Sequence, residues 1–171
     1  MPATTISNLT DLLQSLLADL YATEQAIIAA LPEMIDDTMD TKLHDALQEH
    51  LDTTKEQLSR LETINTELEF STTKDAEGID AIIHATQQIV NAIIDSATKD
   101  AAIIAAAQKV EHYEIASYGS AAEFARQLKF NSVASLLETT LGEEKDADAK
   151  LTSIAQGGLF QKGVNEKAVE E

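Results

Sequence analysis

The chain of 171 residues contains no cysteine, only two prolines and only six glycines. Without cysteine there is no disulfide, thiolate nucleophile, iron–sulfur cluster or cysteine-ligated zinc. Proline and glycine commonly end helices, so their scarcity predicts a few long helices. Apolar residues nowhere run long enough to cross a bilayer, and the first residues lack a signal-peptide pattern. We therefore expect a cytoplasmic protein that does not enter membranes.

Basic residues are also scarce, because 12 lysines and arginines face 30 aspartates and glutamates, for a net charge of −18. Such a charge repels phosphate backbones and anionic lipid, so binding to nucleic acid or a membrane surface is not expected. Most of the excess is explained by a solvated surface, although it also suits metal cations as partners. The length corresponds to one domain with a sizeable core.

Apolar residues at helical spacing predict four long helices and one shorter helix. Their expected bounds are Ser7 to Met34, Thr38 to Leu68, Ile79 to Ile94, Asp100 to Leu128 and Ser132 to Ala155, and Pro32 is expected to end or kink the first. The shorter helix falls in the long connection between the second and third long helices. This order predicts an all-α, ferritin-like antiparallel four-helix bundle with an extra helix in the crossover. We assign residues 1–156 to this bundle domain and 157–171 to an extended or disordered C-terminal tail.

Polar residues interrupt the apolar stripe of every long helix near its middle. Glu24 occupies the centre of the first stripe and Glu144 the centre of the fourth. The second stripe has His50 at its middle, and the third has Glu111 and Glu114 one turn apart. The sequence thus predicts that all four helices become polar midway.

The heights of these residues can be compared, because antiparallel neighbours lie level when their numbers average to the centre of the shared turn. Glu24 and His50 average to 37, at the predicted first turn, and Glu114 and Glu144 average to 129, between the third and fourth long helices. Asp148 pairs in the same way with Glu111, one turn away. We therefore expect the polar side chains to form layers.

Several carboxylates buried together cost several kcal/mol each unless they are protonated, paired or bound to metal. Lys109 and Lys145 lie beside the stripes and not on them, so bridging divalent cations are the simplest compensation. Oxygen ligands with an imidazole favour iron or manganese, with zinc possible in vitro. The predicted metal ligands are Glu24, His50, Glu111, Glu114, Glu144 and Asp148.

Each of these residues also has an ordinary structural interpretation. A single glutamate on a stripe is more often a partly exposed residue on a slightly rotated helix, and a lone His50 is more often a hydrogen-bonded core histidine. Glu111 and Glu114 could belong to a dimer face, and Asp148 could be solvated. The coincidence on four helices favours the metal interpretation. The other histidines, His44, His84 and His112, are given no role.

Six segments have a recognisable pattern: 20–25 (LYATEQ), 30–34 (ALPEM), 49–51 (EHL), 105–116 (AAAQKVEHYEIA), 118–119 (YG) and 143–145 (EEK). In these segments the sequence resembles the YciF/YciE-type ferritin-like stress-response proteins. The resemblance covers about residues 7 to 156. It implies a ferritin-like bundle with an additional helix, a homodimer, a likeness to rubrerythrins and a part in bacterial stress responses. Thr53 stands where such proteins often carry glutamate, and the Glu-x-x-His pair of di-iron bundles is absent.

Three functions are compatible with these features. The leading hypothesis is a di-iron or di-manganese protein of oxidant defence, which could act as a ferroxidase-like oxidoreductase on Fe(II) with peroxide or oxygen. The alternative is a metal-free structural or interaction stress protein that acts as a dimer. Iron storage in a hollow shell is the third, and it would require a large symmetric assembly. The sequence leaves open whether the protein is an enzyme.

Overall fold

A computed structural model describes residues 5–94, 96–158 and 161–170, most of which are helical. The helices are α1 (Leu9–Asp36), α2 (Thr41–Leu68), α3 (Glu77–Asn91), α4 (Ala97–Gln127), α5 (Asn131–Gln156) and α6 (Val164–Val169). All five predicted helices are present, with ends at most about three residues from the expected positions. Within the described part of the chain, no helix combines the length and the apolar character that a membrane crossing requires.

The ends of α1 differ slightly from the prediction. The helix is capped by Asn8, whose side chain accepts the N–H of Asp11 at 2.9 Å, and not by Ser7. Pro32 does not end the helix, which continues to Asp36. The last turn is held by packing, because Leu31 and Ile35 are buried in the core and outweigh the unfavourable proline.

Consecutive long helices form two antiparallel pairs. Gln14 near the start of α1 donates a hydrogen bond of 2.6 Å to the carbonyl of Leu68, the last residue of α2. At the turn between α4 and α5, Arg126 forms an ion pair with Glu138. The crossover that connects the pairs contains α3, which contacts α4 and α1.

Two apolar clusters lie at opposite ends of the long helices. One contains Leu17 and Leu20 of α1 together with Leu137 of α5, and the other contains Ile27 of α1 and Leu151 of α5. Between the two clusters each long helix presents its buried polar residues. The core is therefore divided by a polar layer, as the interrupted stripes predict.

The prediction of an extended or disordered C-terminal tail is wrong for residues 161–170. Gly157–Gly158 (β1) pairs antiparallel with Gln161–Lys162 (β2), and α6 follows, with Val164 buried. Gly157 has a φ of 71°, and a Cβ there would lie 2.2 Å from the backbone nitrogen of Gly163. The sequence predicts only that the last long helix ends near Ala155, whereas the close backbone contact at Gly157 folds the segment back onto α4 and α5.

Asp100 ties the turn between α1 and α2 to the first turn of α4. Its two carboxylate oxygens accept the backbone N–H groups of Met39 and Asp40, each at 2.9 Å, and its side chain is buried. Asp40 in turn caps α2 and forms an ion pair of 2.7 Å with Lys167 of α6. These contacts fix the relative heights of the two helix pairs.

Replacement of Asp100 by alanine is expected to destabilise the protein by about 1–3 kcal/mol, because two backbone N–H groups lose their acceptor. Urea denaturation followed by circular dichroism measures the change. Asp45→Ala is the control, because this aspartate of α2 is 84% exposed and its removal should change stability by less than about 0.5 kcal/mol. Equal stability of the two variants would show that Asp100 does not hold the turn.

Candidate metal centre

The polar layer brings together side chains from three of the long helices. One ligand-capable atom from each of His50, Glu111, Glu114 and Glu144 lies within 4.8 Å of the others, and all four residues are buried. His50 comes from α2, Glu111 and Glu114 from α4, and Glu144 from α5. The spacing of three between the glutamates of α4 puts both on one face of the helix. We call these four residues the carboxylate cluster.

His50 and Glu111 approach each other without forming an ion pair. The His50 Nε2 atom lies 3.4 Å from Glu111 Oε1 but has no partner with hydrogen-bond geometry. Burial lowers the pKa of His50 to about 4, so its imidazole is neutral near pH 7. Burial raises the pKa of Glu111 to about 10, and contact with Glu144 is the second largest cause of this shift. A neutral imidazole is the form that binds metal ions.

Glu114 is the least satisfied member of the cluster. Both of its carboxylate oxygens are buried without a hydrogen-bond partner among the described residues. Burial raises its pKa well above the usual range, and the charges of Glu24, Glu144 and Glu111 raise it further. A carboxyl group in these surroundings holds a proton unless a cation replaces it.

Glu24 of α1 lies outside the group of four but interacts with it. Its side chain is fully buried, and the hydroxyl of Tyr118 donates a hydrogen bond to its Oε1 atom. Burial raises the pKa of Glu24 well above the usual range, despite the opposing hydrogen bond from Tyr118. The Oε2 atom has no partner among the described residues. Glu24 thus offers one free oxygen beside the carboxylate cluster.

Glu144 is held by an amide from the opposite helix pair. Gln57 of α2 donates a hydrogen bond to Glu144 Oε1 and a second bond of 3.1 Å to Glu143. Burial raises the pKa of Glu144, although the hydrogen bonds from Glu111 and Gln57 oppose the shift. Its Oε2 atom remains without a partner in the described part of the chain.

The structure does not bring Asp148 into the carboxylate cluster. Its Oδ1 atom accepts a hydrogen bond of 3.0 Å from Gln108 and lies 3.5 Å from Nε2 of His112. The side chain is 23% exposed. Its position at the border of the stripe turns it toward the outer surface between α4 and α5, where it has neighbours of its own. His112, which was given no role, contacts Asp148 there.

Arg60 of α2 compensates little of the buried charge. Its guanidinium binds both oxygens of Glu143, at 2.8 and 3.0 Å, and also Thr140. Its charge lowers the pKa of Glu24 and of Glu144, but burial outweighs that effect at both. No arginine or lysine donates a hydrogen bond to the carboxylate cluster within the described residues.

Sequence reasoning gave no role to two residues that hold the ligands in place. Tyr118 donates a hydrogen bond to Glu24, and Gln57 donates one to Glu144. Tyr118 follows Glu114 by four residues and therefore shares its face of α4. That spacing was the available signal, although it does not show which carboxylate on another helix the hydroxyl reaches.

Sequence comparisons match the chain to a protein family and to a curated relative. Residues 8–168 match the profile of a family described as a domain of unknown function, DUF892. The chain is 37% identical to protein YciF of Escherichia coli strain K12 over 158 residues, which are 91% of this chain and 95% of that protein.

Solved structures agree with this relationship. The chain is similar to YcfI of Rhodopseudomonas palustris, with a TM-score of 0.86 and 36% identity over 91% of this chain and 99% of that one. It is also similar to the crystal structure of the E. coli stress protein YciF, with a TM-score of 0.82 and 36% identity. That match covers 86% of this chain and 94% of the other.

Proposed function

The chain belongs to the DUF892 family, and from this premise we propose that it is a ferritin-like protein that binds two iron or manganese ions in its helical core. In this proposal α1, α2, α4 and α5 form the antiparallel four-helix bundle and α3 is the extra helix of the crossover. The protein acts in the stress or oxidant defence of a bacterial cytoplasm and oxidises Fe(II) with peroxide or oxygen. The E. coli relative with 37% identity is called a stress protein, which supports the context.

The unpartnered ligand atoms are the observation that carries the proposal. Within the described residues, the atoms without a hydrogen-bond partner include Glu24 Oε2, His50 Nε2, Glu111 Oε2, Glu144 Oε2 and both carboxylate oxygens of Glu114. A buried, unpaired polar atom costs about 1–3 kcal/mol, and here several such atoms face one another. Divalent cations would satisfy them together.

The donor set fits iron or manganese. Carboxylate oxygens are hard ligands, and one imidazole nitrogen adds a ligand that iron and manganese both accept. The cluster residues His50, Glu111, Glu114 and Glu144 would hold the ions, with Glu24 at their side. Asp148 is not proposed as a direct ligand, because its carboxylate already contacts Gln108 and His112. It lies at the outer side of the proposed centre. Among the described residues, the cluster contains one imidazole, that of His50. It therefore differs from di-iron bundles in which Glu-x-x-His pairs supply two histidines.

The protein's own side chains prepare the centre in three ways. Tyr118 binds one carboxylate oxygen of Glu24, and Gln57 binds one of Glu144. Each hydrogen bond fixes the direction of the second oxygen of that carboxylate. The apolar clusters on both sides of the polar layer limit the access of water. The carboxyl groups give up their protons when cations replace them. A bound redox metal supplies the transfer of electrons from Fe(II) to the oxidant.

Metal content tests the proposal. The untagged protein is expected to contain about two iron or manganese ions per chain, and Glu144→Ala is expected to lose them because it removes a ligand of the cluster. Glu138→Ala on the exposed side of α5 is the matched control and should keep its metal. Elemental analysis after purification measures the content. A wild-type protein that contains no metal and binds no added Fe(II) would contradict the proposal.

A metal-free structural or interaction protein is the second candidate. It is favoured by the hydrogen bonds of Tyr118 and Gln57, which already satisfy one oxygen of two of the carboxyl groups. The relative from R. palustris is described as a proposed structural protein. In this case the protein acts as a homodimer, and its carboxyl groups remain protonated. Size-exclusion chromatography distinguishes such a dimer from the hollow shell that iron storage requires.

A further inference from the structure

A pocket opens between the middles of α2 and α5 and ends at the carboxylate cluster. Its volume is about 240 Å³, and His50 and Glu111 form part of its lining. Three small residues explain why the two helices leave this space: Ala46 and Thr53 on α2, and Ala147 on α5. Larger side chains at these positions would close the gap between the helices.

The mouth of the pocket is acidic. Glu49, Glu143 and Asp146 line it, and among the described lining residues Lys150 is the one lysine or arginine. Lys150 forms an ion pair with Glu49 across the mouth, with side chains 46% and 70% exposed. Ion pairs this exposed contribute at most about 1 kcal/mol, so this one does not seal the opening. Glu143 is likewise paired, with Arg60, so the negative charge left at the mouth comes from Asp146, which forms no ion pair among the described residues. This net negative charge attracts cations.

The inner end of the pocket carries ligand atoms without partners. His50 Nε2 and Glu111 Oε2 are buried and have no hydrogen bond among the described residues. The pocket therefore connects an acidic surface with two residues of the proposed metal centre. Its volume of about 240 Å³ is many times the roughly 10–15 Å³ that a single water requires, so a hydrated metal ion fits.

We propose that this pocket is the entry route for divalent cations, with Asp146 and Glu143 at its mouth and His50 and Glu111 at its inner end. The inference rests on the proposed metal-binding function. It adds the route by which the metal reaches the centre and the requirement that the entering species be positively charged. A cation enters with its water, exchanges part of it for the two inner ligands, and passes to Glu114 and Glu144. Anionic metal chelates are excluded by the acidic mouth.

The rate of cation uptake tests the route separately from the affinity. Ala147→Leu fills the pocket from α5 and is expected to slow uptake of Co²⁺ about tenfold or more, because the helices must then separate to admit the ion. The amount of Co²⁺ bound at equilibrium should stay the same. Ala149→Leu, on the exposed side of the same helix, is the control. Stopped-flow absorbance gives the rate, and equilibrium dialysis with elemental analysis gives the amount.

Thr53→Leu fills the same pocket from α2 and decides the result if Ala147→Leu does not fold or loses binding at equilibrium. Slow uptake with unchanged stoichiometry in either pocket variant supports the route. Uptake as fast as in Ala149→Leu, with the wild-type amount of Co²⁺ bound, overturns the route and leaves the metal centre standing. A wild-type protein that binds no Co²⁺, Mn²⁺ or Fe²⁺ at equilibrium overturns the metal centre and the route together.

Discussion

The free energy of unfolding of the metal-free protein is expected to fall as the pH rises from about 6.5 to about 9. The pKa of Glu111 is raised from 4.5 to about 10, so the folded protein holds a proton that the unfolded chain has released in this pH range. Stability then decreases with pH by about 1.4 kcal/mol per pH unit for each such carboxyl group. The raised pKa values of Glu24, Glu114 and Glu144 act in the same direction.

His50 acts in the opposite direction at lower pH. Its pKa is lowered from 6.5 to about 4, so between these values the unfolded chain binds a proton that the folded protein does not. This contribution raises stability with pH below about 6.5 and offsets one carboxyl group there. The net decrease should therefore be steepest above about pH 6.5.

Denaturation by urea at several pH values after treatment with a chelator measures this dependence. Glu111→Gln should reduce the slope by one carboxyl group, whereas Glu56→Gln, an exposed position of α2, should leave it unchanged. Added Mn²⁺ should reverse the trend, since cations bind the ionised carboxylates and compete with protons. A stability that does not change between pH 6.5 and 9 would show that the carboxyl groups are ionised in the metal-free fold.

Glu114→Leu is expected to stabilise the metal-free protein by about 1–3 kcal/mol, because it removes two buried oxygens that have no partner. The same change should abolish the rise in melting temperature that the proposed metal binding predicts for the wild type with divalent cations. Calorimetry with and without Mn²⁺ measures both effects. The combination of higher stability with lost binding is expected of a ligand whose burial is tolerated for function.

Glu123→Leu is the control for this substitution, since Glu123 lies on the same helix with its side chain 50% exposed. It should change stability by less than about 0.5 kcal/mol and should keep the response to Mn²⁺. If Glu114→Leu is instead strongly destabilised, Glu114 makes a favourable contact in the metal-free protein. That result would favour the hydrogen-bonded structural interpretation of the polar layer.

The helices could be predicted because their signals are local. Apolar spacing located all five, and the turn between α4 and α5 is centred at residue 129, where the pairing of Glu114 with Glu144 placed it. The same comparison of heights placed His50 level with Glu24, whereas the structure groups His50 with the glutamates of α4 and α5 and leaves Glu24 beside them. Four of the six predicted ligands are thus brought together. Whether these residues bind metal stays a prediction.

The remaining features depend on contacts between distant segments. A stripe defines the face of a helix to within about one residue, which is too coarse to decide that Asp148 contacts Gln108 and His112 and stays outside the carboxylate cluster. The bond from Tyr118 to Glu24 joins residues 94 positions apart, and no spacing along one helix reveals it. The C-terminal strands and α6 depend on the close approach of Gly157 and Gly163, so propensity alone suggested a tail.

The division of the chain at its crossover has a consequence for how the protein assembles. Glu24 and His50 belong to the α1–α2 hairpin, whereas Glu111, Glu114 and Glu144 belong to the α4–α5 hairpin. Neither hairpin alone carries the complete set of predicted ligands, so the proposed centre can form only after the two halves have docked. A cation bound by residues of both hairpins would link them and stabilise their association. Two fragments produced by cleavage within the crossover would therefore associate more tightly when the cation is present.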